Sequence, residues 1–157
     1  MKYTLLCAAL GTLLLAGPAC AAAPKGSADV VEVAPATKVI TATPGARVDF
    51  AVKVDVKAHW HLYAHGDSNF IGIDLVPEDT FPLQDFRAEY PEGFEGEFFG
   101  EKVRMIAGAN VIKASALVPA GMTGEQPLEL HLVVQACDDR TCLAPANVPV
   151  ALTVKVP

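Results

Sequence analysis

The chain predicts an all-β fold, an immunoglobulin-like antiparallel β-sandwich. Three observations point there. Apolar and polar residues alternate in run after run, turn-forming residues stand at nearly every junction, and no window carries a convincing helical period.

The runs follow in order. Ala22 to about Thr37 is rich in Ala, Pro and small polar residues and reads as a flexible N-terminal segment that becomes ordered towards Val30-Val31. Val48, Phe50, Val52, Val54 and Val56 alternate with Asp49, Ala51, Lys53, Asp55 and Lys57, the pattern of a half-buried strand. Lys38 to Thr43 is expected to pair with it through the turn Pro44-Gly45-Ala46. Trp60-His61-Leu62-Tyr63 resumes after a break at Ala58-His59, and Ile71, Ile73 and Leu75 alternate next. Val111 to Val118 and Leu128 to Ala136 give two more strands across the turn Pro119 to Gly124, and Val148 to Val156 closes the set. Pro77 to Gly100 is the one long connection without clear strand character, and long loops on rigid sandwiches tend to carry function.

The N-terminus reads as an export signal over residues 1–21. Lys2 supplies the positive end, Leu5 to Ala16 the apolar stretch, and Ala19-Cys20-Ala21 the small-residue cleavage box. Its apolar run is too short to span a membrane and is broken by Gly17-Pro18. Lipidation at Cys20 is the rival reading, disfavoured because Gly17-Pro18-Ala19 lacks the branched apolar residue usual before a lipid-bearing cysteine. Residues 38–157 are then expected to form a single exported domain, long enough for a real core. The chain has 12 basic and 18 acidic residues with no basic run, which argues against binding nucleic acid or anionic lipid.

Cleavage would leave Cys137 and Cys142 as the last two cysteines, with Asp138-Asp139-Arg140-Thr141 between them. At a hairpin mouth, such positions lie about 4.5 to 5.5 Å apart and can be bridged without moving the backbone. A loop so short contributes only about 2 kcal/mol when closed. A strand with five Val and Phe on one face does not obviously need that help. The bond is therefore either a staple or a couple that opens and closes with the fold left standing, and local chemistry leaves both open. Strand alternation puts Cys137 on the face of His131 and Gln135, near solvent or under a loop. Adjacent Asp138 and Asp139 disfavour a thiolate.

The segment Gln135 to Pro145 resembles the active-site hairpin of the N-terminal periplasmic domain of DsbD-type thiol:disulfide interchange proteins. Trp60-His61-Leu62-Tyr63 resembles that family's aromatic strand, and Glu97-Phe98-Phe99-Gly100-Glu101-Lys102 its cap loop over the cysteines. The resemblance implies a domain relaying reducing equivalents, with no cofactor, between a membrane electron donor and thioredoxin-like proteins of the disulfide isomerase or cytochrome c maturation type. It implies Cys137 and Cys142 as the catalytic pair and disulfide, Cys142 forming the mixed disulfide and Cys137 resolving it. It assigns Phe98, with Phe99, to shielding the sulfurs, Glu97 to tuning the thiols, and Gly100 to the cap loop. Gly96 departs from the pattern, standing where some relatives carry a second acid. The sequence reads as a free-standing version of the domain, expected to be a monomer and to meet its donor by diffusion.

Two alternatives come from other classes. One is a non-catalytic sandwich module whose Cys137–Cys142 bridge is a staple. The other is a metal-binding protein using His59, His61 and His65, with Asp67 as weak support and packing or loop positions as the plainer reading of all three. His131 reads as a solvated polar-face residue, and Met105 and Met122 as packing.

Overall fold

A computed structural model describes residues 23–67 and 70–157; the export signal expected over residues 1–21, with Cys7 and Cys20, lies outside them. The strands are β1 (Val31–Pro35), β2 (Val39–Thr41), β3 (Arg47–Val56), β4 (His61–Tyr63), β5 (Asp74–Pro77) and β6 (Gln84–Glu89), followed by β7 (Phe94–Phe98), β8 (Glu101–Ile106), β9 (Gly108–Leu117), β10 (Gly124–Val134), β11 (Ala136–Cys137) and β12 (Ala146–Val156). A 3₁₀ turn, Ser27–Asp29, leads into β1. Among the described residues no helix is long and apolar enough to cross a membrane.

Alternation builds the sandwich. Every second residue of β3, from Val48 to Val56, is buried, and Ile112, Ala114 and Ala116 answer from β9. Those two strands pair from Arg47 opposite Leu117 to Val56 opposite Gly108, in a sheet ordered β1-β3-β9-β6. The facing sheet, β2-β12-β10-β5, rests on an eleven-residue pairing of β10 with β12. Leu128, Leu130, Leu132 and Val134 point inward from β10, and Val150, Leu152, Val154 and Val156 from β12. Side chains of both sheets form one hydrophobic cluster, the immunoglobulin-like arrangement.

A third sheet, β11-β4-β8-β7, caps one end. Its strands β4 and β11 are covered on both faces, whereas β7 at the edge is largely exposed. Leu62, Ile106 and Ala136 turn into the main core, while Tyr63, Val103, Met105 and Cys137 turn the other way into a second cluster. Period-2 geometry thus splits β4, β8 and β11 between supporting the sandwich and forming the site.

Several expectations change. Lys38–Thr43 does not pair with β3. β2 runs parallel to β12, Val39 opposite Thr153, because β1 already occupies that edge of β3. The flexible segment expected over 22–37 holds the 3₁₀ turn and β1, whose Val31 is buried opposite Val56. The connection expected over Pro77 to Gly100 contains β6 and β7. β6 hides its pattern because its register shifts between Gln84 and Arg87, with Asp85 at φ 47° held by Arg47 and Arg87. In β7 the inward position between Phe94 and Phe98 is Gly96, which leaves only a faint apolar stripe.

Candidate redox site

Cys137 and Cys142 form a disulfide with Cα atoms 4.0 Å apart, closer than the spacing expected from the sequence. The hairpin around it is hydrogen-bonded at three levels. The Leu143 amide donates to Ala136 O at 2.8 Å and the Asp138 amide to Thr141 O at 2.9 Å. Asp138 Oδ1 then accepts the amides of Arg140 and Thr141 at 2.8 and 2.7 Å, tying off the turn. Those two donated bonds hold the Asp138 carboxyl below its ordinary value.

Alternation fails at the cysteine. Gln135 interrupts the ladder between β10 and β11, so Ala136 and Cys137 are both fully buried, and Cys137 lies under cover rather than near solvent. Cys142 is only partly buried, at the margin of the same cluster. The two sulfurs therefore differ in access, although they belong to one bond.

The base of the hairpin is clamped from the expected tether. Ser27, fully buried, donates its hydroxyl to Ala144 O at 2.7 Å and accepts the Ala136 amide at 2.9 Å. Its own amide also reaches Ala144 O, at 3.1 Å. One side chain thus bridges the two chain segments that carry the disulfide. A lone serine in an Ala- and Pro-rich stretch gives no sequence signal of that role.

The cap is a hairpin rather than a loop. β7 and β8 pair from Phe94 opposite Met105 to Phe98 opposite Glu101, and Phe99 (φ 51°) and Gly100 (φ 82°) make a two-residue turn with both centres left-handed. Phe98 is 5% exposed and packs with Cys137, Tyr63, Val103 and Met105. Phe99 is 77% exposed, its ring 4.4 Å from that of Phe98 between centroids. Glu97 is exposed and faces Lys102 across the ladder. Gly96 leaves room for Met105, whose methyl lies 2.0 Å from where a Cβ would stand.

Two further aromatic contacts were not legible in the sequence. Phe70 stacks on Tyr63 at 4.3 Å and meets Phe98 edge-on at 5.5 Å. Its amide donates to Asp67 Oδ1, which places Asp67 in the support of this cover. Tyr63 is fully buried, and burial pushes its phenol up to about 12, helped by Asp67.

The histidines part company. His61 lies directly opposite Cys137 in the β4–β11 pair. His59 is exposed at φ 72°, and His65 stacks on Tyr90 at 3.8 Å with Nδ1 3.0 Å from Ile73 O. Among the described residues no three metal-ligating side chains gather. His131 is not simply solvated, since its Nδ1 lies 2.6 Å from Glu78 Oε1. Met105 and Met122 both pack against apolar clusters.

Fold and site together define an immunoglobulin-like β-sandwich that carries one covered cysteine pair on a capping sheet. The chain belongs to the family described as "Thiol:disulfide interchange protein DsbD, N-terminal", which matches residues 27–153. It is similar in structure to the N-terminal periplasmic domain of ScsB from Proteus mirabilis, with TM-score 0.54 and 12% identity over 80% of this chain. It spans about half, 46%, of that chain's length. The reduced DsbD N-terminal domain of Neisseria meningitidis aligns at TM-score 0.46 and 15% identity, over 70% of this chain and 80% of that one. No curated protein matches the chain.

Proposed function

We propose that this domain is a periplasmic thiol–disulfide exchange module. It passes two electrons from a membrane electron donor to thioredoxin-like proteins of the disulfide isomerase or cytochrome c maturation type through Cys137 and Cys142. The observation that carries this reading is the asymmetry of the bond: Cys142 is partly buried and keeps some exposure, while Cys137 is fully buried in the cluster that holds Phe98. A partner's disulfide reaches Cys142 first. Its thiolate forms the mixed disulfide, and the Cys137 thiolate then attacks Cys142 Sγ, restoring the internal bond and releasing the partner reduced. The chemistry asks only for two positioned sulfurs and controlled access, so no cofactor enters.

The hairpin supports opening without collapse. Backbone bonds on either side of the cysteines and the Ser27 clamp hold the strands with or without the covalent link. A staple at this place would add little that those bonds do not supply. The hydrophobic cap excludes small oxidants until docking displaces it. The family matched supports the assignment and a periplasmic location, the ScsB likeness supports the fold, and export accords with the signal read over residues 1–21.

Trapping tests the roles. Cys137→Ala, keeping Cys142, should hold a thioredoxin-fold substrate as a stable mixed disulfide, whereas Cys142→Ala should not. Equal trapping by both variants would reverse or cancel the assignment.

A further inference from the structure

Register puts one titratable side chain next to the buried sulfur. Cys137 and His61 are directly opposed across β11 and β4, so their Cβ atoms lie about 5 Å apart on the same face of the sheet. The imidazole stands edge-on to Tyr63 at 5.6 Å and to Phe98 at 5.8 Å, closing the same compartment that covers Cys137. Its Nε2 is buried and makes no hydrogen bond among the described residues. A ring that served only as packing would not need a nitrogen there. Phe would make the same contacts without leaving a polar atom bare.

We propose that His61 is the proton acceptor for the Cys137 thiol in the resolving step. The inference rests on the exchange reading above and on Cys137 being the resolving sulfur. The sealed position creates the need, because bulk base cannot readily reach a thiol under Phe98, and the thiolate is the species that attacks. In the step, His61 Nε2 takes the proton as the Cys137 S–H bond breaks. The sulfur's electron pair forms the Cys137–Cys142 bond, the mixed disulfide breaks, and the partner's sulfur leaves as a thiolate. The imidazolium then returns its proton to that thiolate or to solvent. The dithiol is oxidised by two electrons and the partner disulfide is reduced by two.

The surroundings suit an acceptor that is neutral at rest. Burial lowers the His61 pKa, and Asp139 and Asp138 in the hairpin turn pull it back up. From its own strand it meets the Tyr63 phenol, protonated at neutral pH, and from the cap the uncharged Phe98 ring. The two aspartates also stabilise the imidazolium once it forms.

The reduced protein mixed with dithiobis(nitrobenzoate) releases coloured thiolate twice, first as Cys142 attacks and again as Cys137 resolves. His61→Phe keeps the ring contacts and His61→Gln keeps a polar group, but neither can accept a proton. Both should leave the first phase unchanged and slow the second by about a hundredfold or more near neutral pH, the scale of general-base assistance. The deficit should close as pH rises and hydroxide supplies the thiolate. An unaltered second phase in both variants overturns the proposal, and so does a slowing that is the same at every pH, which would mark a packing role. If the wild-type protein itself never releases the second thiolate, the exchange reading fails, and that failure is seen without reference to His61.

Discussion

Ser27→Ala isolates the clamp beneath the cysteine hairpin. The substitution removes one oxygen from a site with no exposure, so water cannot replace it. Ala144 O keeps the Ser27 amide at 3.1 Å and is not orphaned. The Ala136 amide is different: it loses its acceptor at 2.9 Å while remaining fully buried. An unsatisfied buried donor costs about 1–3 kcal/mol, so a loss of about 2 kcal/mol is expected. In a domain of this size that lowers the melting temperature by roughly 8 °C. Chemical denaturation of the oxidised protein, with midpoint and slope both fitted, gives the free energy. The disulfide and the clamp brace the same hairpin, so Ser27→Ala should cost more in the reduced protein than in the oxidised one. A change within about 0.5 kcal/mol in both redox states would refute the clamp, since that is the range of inert surface substitutions.

Other predictions concern the cap and the turn. Phe98→Ala should destabilise by about 3 kcal/mol and speed alkylation of the reduced cysteines by iodoacetamide, whereas Phe99→Ala should change stability by under about 0.5 kcal/mol. Phe99→Asn should stabilise by up to about 1 kcal/mol in thermal melts, because Asn tolerates the left-handed backbone at φ 51° better than an aromatic does. Gly93→Ala should destabilise the cap hairpin, since a Cβ at φ 73° would stand 2.5 Å from Met105 O, a backbone atom that cannot move aside; unfolding by denaturant measures it. Asp138 has a folded pKa below the ordinary 3.8, so its contribution is present above that value and lost as pH falls through the folded one. Unfolding between pH 5 and pH 2 should therefore show a loss in the wild type that Asp138→Asn, whose carboxamide oxygen can still accept both amides, does not share.

What the sequence exposed was alternation, and what it concealed was whatever alternation does not encode. β3, β9, β10 and β12 were readable because each presents an apolar residue at every second position to a common core. β6 was not, because a bulge and an open edge break its stripe, nor was β7, because Gly96 sits where an apolar residue would mark the inner face. β2 was recognised as extended but given the wrong neighbour; which edge a short strand joins depends on β1, a non-local fact. In the site, the cysteine spacing and the Phe-Phe-Gly cap were visible as local motifs. Ser27 and Phe70 were not, since a hydroxyl reaching the hairpin from over a hundred residues away, or a ring brought by a loop onto Tyr63, leaves no periodic trace. His61 was seen beside Tyr63 but not beside Cys137, because the register linking them appears only when β4 and β11 pair.

The reduction potential of Cys137–Cys142, measured in glutathione or dithiothreitol buffers alongside the melting temperature of each redox form, bears most directly on the domain's proposed work. A potential within about −120 to −270 mV, the span of exchange proteins, with a reduced form that melts cooperatively close to the oxidised one, is the expected result. A potential well below about −300 mV with a reduced form that no longer folds would make the bond a permanent brace and remove the basis for electron relay.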